Sequence, residues 1–240
     1  MAQQMEPSPA PRRQHRVFAS WYPGRAAAMD KAGFAEYRDR FLAGLSGEVL
    51  ELGAGSGLNF AHYPPEVERV VAVEPEARMR ELAGRAAAEA PVRVEVVDGV
   101  AEDLSAFAGQ FDAAVCSLVL CSVHDQVDAL TQLRSVLRLQ AGSKVGEVRL
   151  LEHVRADGGT LSRVQRALDA TVWPLIGAGC HCSRDLTRAI GPAGLAVKSA
   201  ERFKFPAKGP SLPTSPHLFV TAVPERRADP GRRSASAVDR

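Results

Sequence analysis

The residues of this chain best placed to do chemistry form one short run, Glu51-Leu52-Gly53-Ala54-Gly55-Ser56-Gly57, and a single acid further on, Glu74, 17 residues beyond Gly57. Glycine permits positive φ in a tight turn and lets a ligand approach the backbone without meeting a Cβ. The run follows an apolar segment that reads as a strand. A ligand would then lie across the carboxyl end of that strand, where open α/β sheets bind. Glu74 closes a second strand, RVVAVE, and a carboxylate there can accept charge-assisted hydrogen bonds from both hydroxyls of a ribose. Together they specify an adenosine-containing ligand.

The spacing narrows the ligand further. Dinucleotide folds use Gly-x-Gly-x-x-Gly and hold pyrophosphate over a helix N-terminus. Here the spacing is Gly-x-Gly-x-Gly, with Glu51 two residues ahead of it. An acid at that point repels pyrophosphate and can hold the ammonium of an amino-acid moiety, which favours S-adenosylmethionine over NAD.

Other reactive side chains are scattered. His124 follows the fourth strand, and His153 ends the fifth beside Glu152, so either imidazole could accept a proton near neutrality. We take His153 as the candidate base and His124 as an acceptor-side residue. The four cysteines fall at Cys116-x4-Cys121 and Cys180-x-Cys182. Neither interval matches a zinc pattern, and no second pair or His-x3-His follows, so buried thiols and no metal are expected. Cys121 and Ser122 are read as the pocket floor. Cys180-His181-Cys182 reads as a turn capping the acceptor pocket, and Trp173, Leu175 and Ile176 as an apolar wall. Phe18, Trp21 and Tyr22 precede the predicted first helix and are candidates for a lid over the acceptor.

The elements that must position these groups alternate. Helical spacing of Phe34, Tyr37, Phe41, Leu42 and Leu45 predicts a helix over 25–45. Strands are predicted at 48–53, 69–74, 92–97, 111–116 and 147–154, with helices at 76–89 and 126–138 between them and at 160–172 and 183–191 after them. Strands at 195–203 and 217–223 follow without an intervening helix and form a hairpin. This is an α/β fold: a Rossmann-like, seven-stranded, mostly parallel sheet with helices on both faces and an antiparallel last strand.

Composition bounds the rest. The chain has 240 residues, 45% hydrophobic and 24% charged, with a net charge of +2, which excludes a wholly disordered or collagen-like chain. No run reaches the roughly 18 apolar residues of a membrane span, and the charge balance gives no electrostatic footprint for nucleic acid. Residues 1–16 and 224–240, rich in Pro and Arg, have little to bury and are expected to be disordered tails around one domain at 17–223. Sparse cysteines and no apolar N-terminal leader predict a reduced, cytoplasmic protein.

The motifs VLELGAGSG, VAVEPE, GVAEDL and FDAAVCSLVLCSV resemble those of class I S-adenosylmethionine-dependent methyltransferases, over roughly residues 17–223. VLELGAGSGLNFAHYP, CSLVLCSV, LLEHV and the Trp173…Gly179-Cys180…Arg184 run are similar to the subgroup holding ubiquinone/menaquinone methyltransferases and small thiol methyltransferases. The resemblance implies that Glu51, Gly53, Ala54, Gly55 and Gly57 meet the methionine end of the cofactor, with Asn59 and Phe60 just after the loop. It implies that Glu74 holds the ribose and Pro75 flanks the adenine. Where the family shows Gly-Asp-Ala this chain has Val100 at the Asp position, so the Ala101 backbone or the Glu102 side chain would substitute. Cys116 and Ser117 would close the pocket beneath the sulfonium. The acceptor side would draw on Trp21, Tyr22, Cys121, His124, Trp173 and Arg184. Relatives carry a Lys/Arg-Pro-Gly-Gly turn before the fifth strand, where this chain has a longer turn at 139–144. The implied activity is methyl transfer to a small, rather apolar acceptor through thiol, hydroxyl, amine or carbon, with no nucleic-acid partner and no stable membrane insertion. Phospholipid N-methylation, a non-catalytic S-adenosylmethionine-binding role and a nicotinamide-dependent oxidoreductase are the alternatives, and the oligomeric state stays open.

Overall fold

The computed structural model describes residues 15–138 and 146–225. Seven strands form one sheet: β1 (Gly47–Leu52), β2 (Val67–Val73), β3 (Arg93–Val97), β4 (Ala113–Ser117), β5 (Glu147–His153), β6 (Leu195–Lys204) and β7 (Pro216–Pro224). Their order is β3-β2-β1-β4-β5-β7-β6. The first five are parallel, and β7 enters antiparallel between β5 and β6. The expected sheet is therefore the observed one, hairpin included.

The central strands are apolar because both faces are covered. Alternation along β1 sends Leu50 and Leu52 to one core with Leu130, Leu133 and Ile190, and Val49 to another with Phe34, Phe41, Val70 and Val115. The first core lies under α4 (Gln126–Ser135) and α7 (Thr187–Ile190), the second under α2 (Ala35–Leu42) and α3 (Ala77–Ala88). α4 starts where the Asp125 carboxylate accepts from the amides of Val127 and Asp128, at 2.7 and 3.2 Å. Two further helices, α5 (Gly159–Asp169) and α6 (Trp173–Ile176), lie between β5 and α7. Parallel registers set Leu52 opposite both Val73 and Cys116, so β1, β2 and β4 end at one level. Strand order reverses beside β1, which opens a crevice at those ends.

The N-terminal helix differs from the reading over 25–45. Helix α1 spans Arg16–Met29, a wide turn covers Asp30–Phe34, and α2 follows. Gly33 at φ 107° divides the two helices. Phe18, Trp21 and Tyr22 thus lie on a helix instead of before one. Pro23-Gly24 looks like a break, yet the helix runs through it, giving up the backbone hydrogen bond that Pro23 cannot donate, with Ala19 and Ala26 buried against the body. At the other end the expected helix over 183–191 shrinks to α7. Ser183 is held back by Asp169, whose carboxylate accepts from both its amide and its hydroxyl. His15 is already engaged, its amide donating to Glu76 at 3.0 Å. The expected tails at 1–16 and 224–240 overlap ordered elements at their inner edges, since Arg16 opens α1 and Pro224 closes β7; residues 1–14, 226–240 and the turn at 139–144 lie outside the described residues.

Candidate active site

The glycine loop divides its labour. Gly53, Gly55 and Gly57 all take positive φ, at 68°, 57° and 81°. A Cβ on Gly53 would sit 2.4 Å from Val119, and one on Gly57 2.7 Å from Phe60. These two glycines let the chain pack on itself. A Cβ on Gly55 would meet nothing within 4 Å. Gly55 faces open space, and that space is a cleft of about 220 Å³ at the carboxyl ends of β1, β2 and β4.

Two carboxylates frame the loop. The Glu74 Oε2 accepts from the Gly55 amide at 2.8 Å and its Oε1 from the Glu76 amide at 2.9 Å. Each oxygen keeps a lone pair for a further donor. Burial raises the Glu74 pKa against these amide bonds. Glu51 is almost fully buried, with its Oε1 accepting from Asn59 at 2.8 Å and its Oε2 from the Tyr63 hydroxyl at 2.7 Å. Desolvation pushes its pKa up to about 7, against the two hydrogen bonds and the nearby Arg38. Arg38 donates to Asn59 at 2.7 Å and pairs with Asp30 at 3.0 Å, completing a chain from α2 to the end of β1.

The cleft gathers Tyr22, Glu51, Gly53, Ala54, Gly55, Asn59, Glu74, Pro75 and Ser117 from among the expected residues. The Ser117 hydroxyl is buried there with no hydrogen-bond partner. Phe18, Arg38, Met79, Leu118, Val119, Ser122 and Ala178 also line it. Arg38 is hard to see in sequence because Glu36, Asp39 and Arg40 around it read as a solvated face. Among the described non-glycine residues, Leu118 at φ 59° and Ala178 at φ 52° have left-handed backbone, and both line the cleft. Such strain persists only where surrounding structure enforces it, commonly at functional sites. Here the Leu118 amide donates to Leu151 at 2.8 Å, and the buried Glu152 Oε1 accepts from Val119 and Leu120 at 2.8 and 2.9 Å.

Other expected residues lie elsewhere. Gly57 is buried within the loop. Cys116 is wholly inside the core, its thiol 3.7 Å from Glu152, so it backs the cleft and does not line it. Ala101 belongs to the core, while Glu102, Trp21 and His124 are exposed. Arg184 donates to the Leu120 carbonyl at 3.0 Å and braces the turn after β4. Trp173 donates to Cys180 Sγ at 3.4 Å. Cys180 Sγ in turn is 3.2 Å from the His153 Nε2, and His153 Nδ1 is buried without a partner. Burial lowers the His153 pKa, but Cys180, Glu152 and Asp169 outweigh it and leave the pKa raised. Burial pushes the Tyr22 phenol up to about 12, against the nearby Arg38 guanidinium.

The fold and the cleft define an S-adenosylmethionine-dependent methyltransferase, and residues 50–141 match the model of a methyltransferase domain. Human thiol S-methyltransferase TMT1B is 34% identical over 189 residues, which cover 76% of this chain and 73% of that one. Human thiol S-methyltransferase TMT1A is 30% identical over 186 residues, covering 75% and 73%. A solved S-adenosylmethionine-dependent methyltransferase of Thermotoga maritima superposes with a TM-score of 0.61 over 88% of this chain and 99% of its own, at 19% identity. The chain belongs to the same family of S-adenosylmethionine-dependent methyltransferases as the two human proteins.

Proposed function

We propose that this enzyme methylates the sulfur of a small, apolar thiol. The observation that carries the reading is the pairing of its thiol S-methyltransferase relatives with an apolar cleft wall of Phe18, Leu118, Val119 and Ala178 facing the glycine loop. A thiol of ordinary pKa, about 8.5, is partly ionised near neutrality and asks little of a general base. That suits a cleft walled mainly by carbon.

S-adenosylmethionine supplies an activated methyl on a sulfonium, and the protein supplies position. The fit rests on two features: the space in front of Gly55 and the unpartnered hydroxyl of Ser117. Glu51 holds the ammonium of the methionine moiety through its remaining lone pairs. Glu74 accepts from the ribose hydroxyls while its bonds to Gly55 and Glu76 keep it oriented. Pro75 and Met79 offer apolar surface to the adenine, and Ser117 closes the floor. The α1 aromatics Phe18 and Tyr22 exclude water over the acceptor. Holding nucleophile and methyl in line supplies several kcal/mol of the barrier.

The test is methyl transfer from labelled cofactor to a panel of alkyl and aryl thiols, phenols, amines and phosphatidylethanolamine vesicles, with products identified by mass spectrometry. Labelled thioethers are expected. Transfer confined to oxygen, nitrogen or lipid acceptors overturns the thiol reading and leaves the methyltransferase assignment in place.

A further inference from the structure

Three side chains far apart in sequence meet beside the cleft. Cys121 lies in the turn after β4, His153 ends β5, and Cys180 lies in the loop between α6 and α7. One ligand atom from each, two sulfurs and an imidazole nitrogen, all lie within 4.8 Å of one another. Cys180 Sγ and His153 Nε2 are 3.2 Å apart. Cys121 and His153 are buried and Cys180 is partly exposed.

The surrounding structure holds all three backbones. The His181 amide donates to the Cys121 carbonyl at 2.8 Å, tying the Cys180 loop to the β4 turn. Gln165 is fully buried, and its carboxamide nitrogen shares its two protons among the carbonyls of Val154, Cys182 and Pro213, at 3.1, 2.9 and 2.7 Å, which fixes the segments after His153 and Cys180. The cluster also borders the cleft. Ser122 and Ala178, next to Cys121 and two before Cys180, line it. Tyr22 of α1 lines the same cleft.

Two thiols and an imidazole at this spacing are a donor set for a soft divalent ion. Zinc takes thiolate and imidazole ligands at about 2.3 and 2.0 Å in a tetrahedron, and sites with three protein ligands keep a fourth position for water or substrate. We infer that Cys121, His153 and Cys180 bind a zinc-like ion whose fourth position opens toward Tyr22 and receives the sulfur of the acceptor. His153 is then a ligand through Nε2 and not a free base. The ion's bond to sulfur rests on the thiol reading above; the ion site itself does not.

The step balances without an oxidant or reductant. The acceptor thiol loses its proton to solvent as its sulfur joins the ion. A sulfur lone pair forms the new S–C bond to the methyl. The old methyl–sulfonium bond breaks, and its electron pair stays on the donor sulfur. Both sulfurs end as neutral thioethers, and the methylated acceptor, now a weak ligand, leaves the ion.

Full-length protein purified under reducing conditions should hold near-stoichiometric zinc by plasma mass spectrometry. Replacement by Co(II) should give tetrahedral visible bands and thiolate-to-cobalt charge-transfer absorption. Cys121→Ser, His153→Gln and Cys180→Ser should each strip or strongly weaken the ion, while Cys182→Ala retains it. Calorimetric S-adenosylmethionine binding checks that each variant is folded, and the wild-type cobalt spectrum stands without any variant. Adding a thiol acceptor should shift the cobalt bands. Absence of metal together with no cobalt spectrum, or a Cys121–Cys180 disulfide in the reduced preparation, overturns the ion site even if thiols are methylated. A bound ion with bands indifferent to thiols overturns the acceptor role alone, whichever atom the methyl panel shows to be methylated.

Discussion

Glu51 is a buried acid whose partners only partly offset its desolvation, so its folded pKa, about 7, exceeds its ordinary value of 4.5. The folded protein therefore holds this proton more tightly than the unfolded chain. Its contribution to stability is favourable below the unfolded pKa and is lost as pH rises between the two values. The ammonium of a bound amino-acid moiety prefers the carboxylate and reverses that preference. Cofactor affinity should increase from pH 6 to pH 8, with proton release seen as a buffer-dependent calorimetric enthalpy. Glu51→Gln should flatten the profile and weaken binding. A pH-independent dissociation constant in the wild type would remove Glu51 from the ammonium site. Glu74→Ala should cost at least about tenfold in affinity, or about 1.4 kcal/mol. The loop glycines separate packing from binding. Gly53→Ala drives a Cβ into Val119 and should lower the melting temperature. Gly55→Val places its side chain in the cleft and should abolish cofactor binding, with only the smaller stability loss that a strained φ imposes.

Strands and α1 were not equally legible. Buried parallel strands are apolar throughout, so RVVAVE and EVLELG announce themselves. Helix α1 carries Pro23-Gly24 and fully buries only Ala19 and Ala26, with Phe18 and Tyr22 partly covered, so nothing in its pattern marks a start at Arg16. That thin anchoring has a consequence. An element with little buried apolar surface opens at low free-energy cost. Amides of residues 17–29 should exchange hydrogen faster than those of β1 in the free protein and slow when S-adenosylmethionine binds. Equal protection of α1 and β1 without cofactor would show that the helix is a fixed wall. The shortening of the last helix to α7 was likewise invisible, because Asp169 captures Ser183 from a distance in sequence.

Across the whole molecule, residues 15–138 and 146–225 already complete the sheet, and the Glu225 amide ends it by donating to Gly194 at 2.9 Å. Deleting residues 226–240 should leave the melting temperature and cofactor affinity unchanged; a loss in either assigns that segment a structural part. No helix among the described residues is long and apolar enough to cross a membrane.

The cofactor side of the enzyme could be read from the chain alone, because a strand, its tight turn and the acid ending the next strand are local features whose spacing is set by backbone geometry. Arg38, Tyr63, the backbone of Leu118 and Ala178, and the meeting of Cys121, His153 and Cys180 are long-range products of packing. Their positions depend on which strand ends share a level and which loops cross them, and no interval along the chain encodes that.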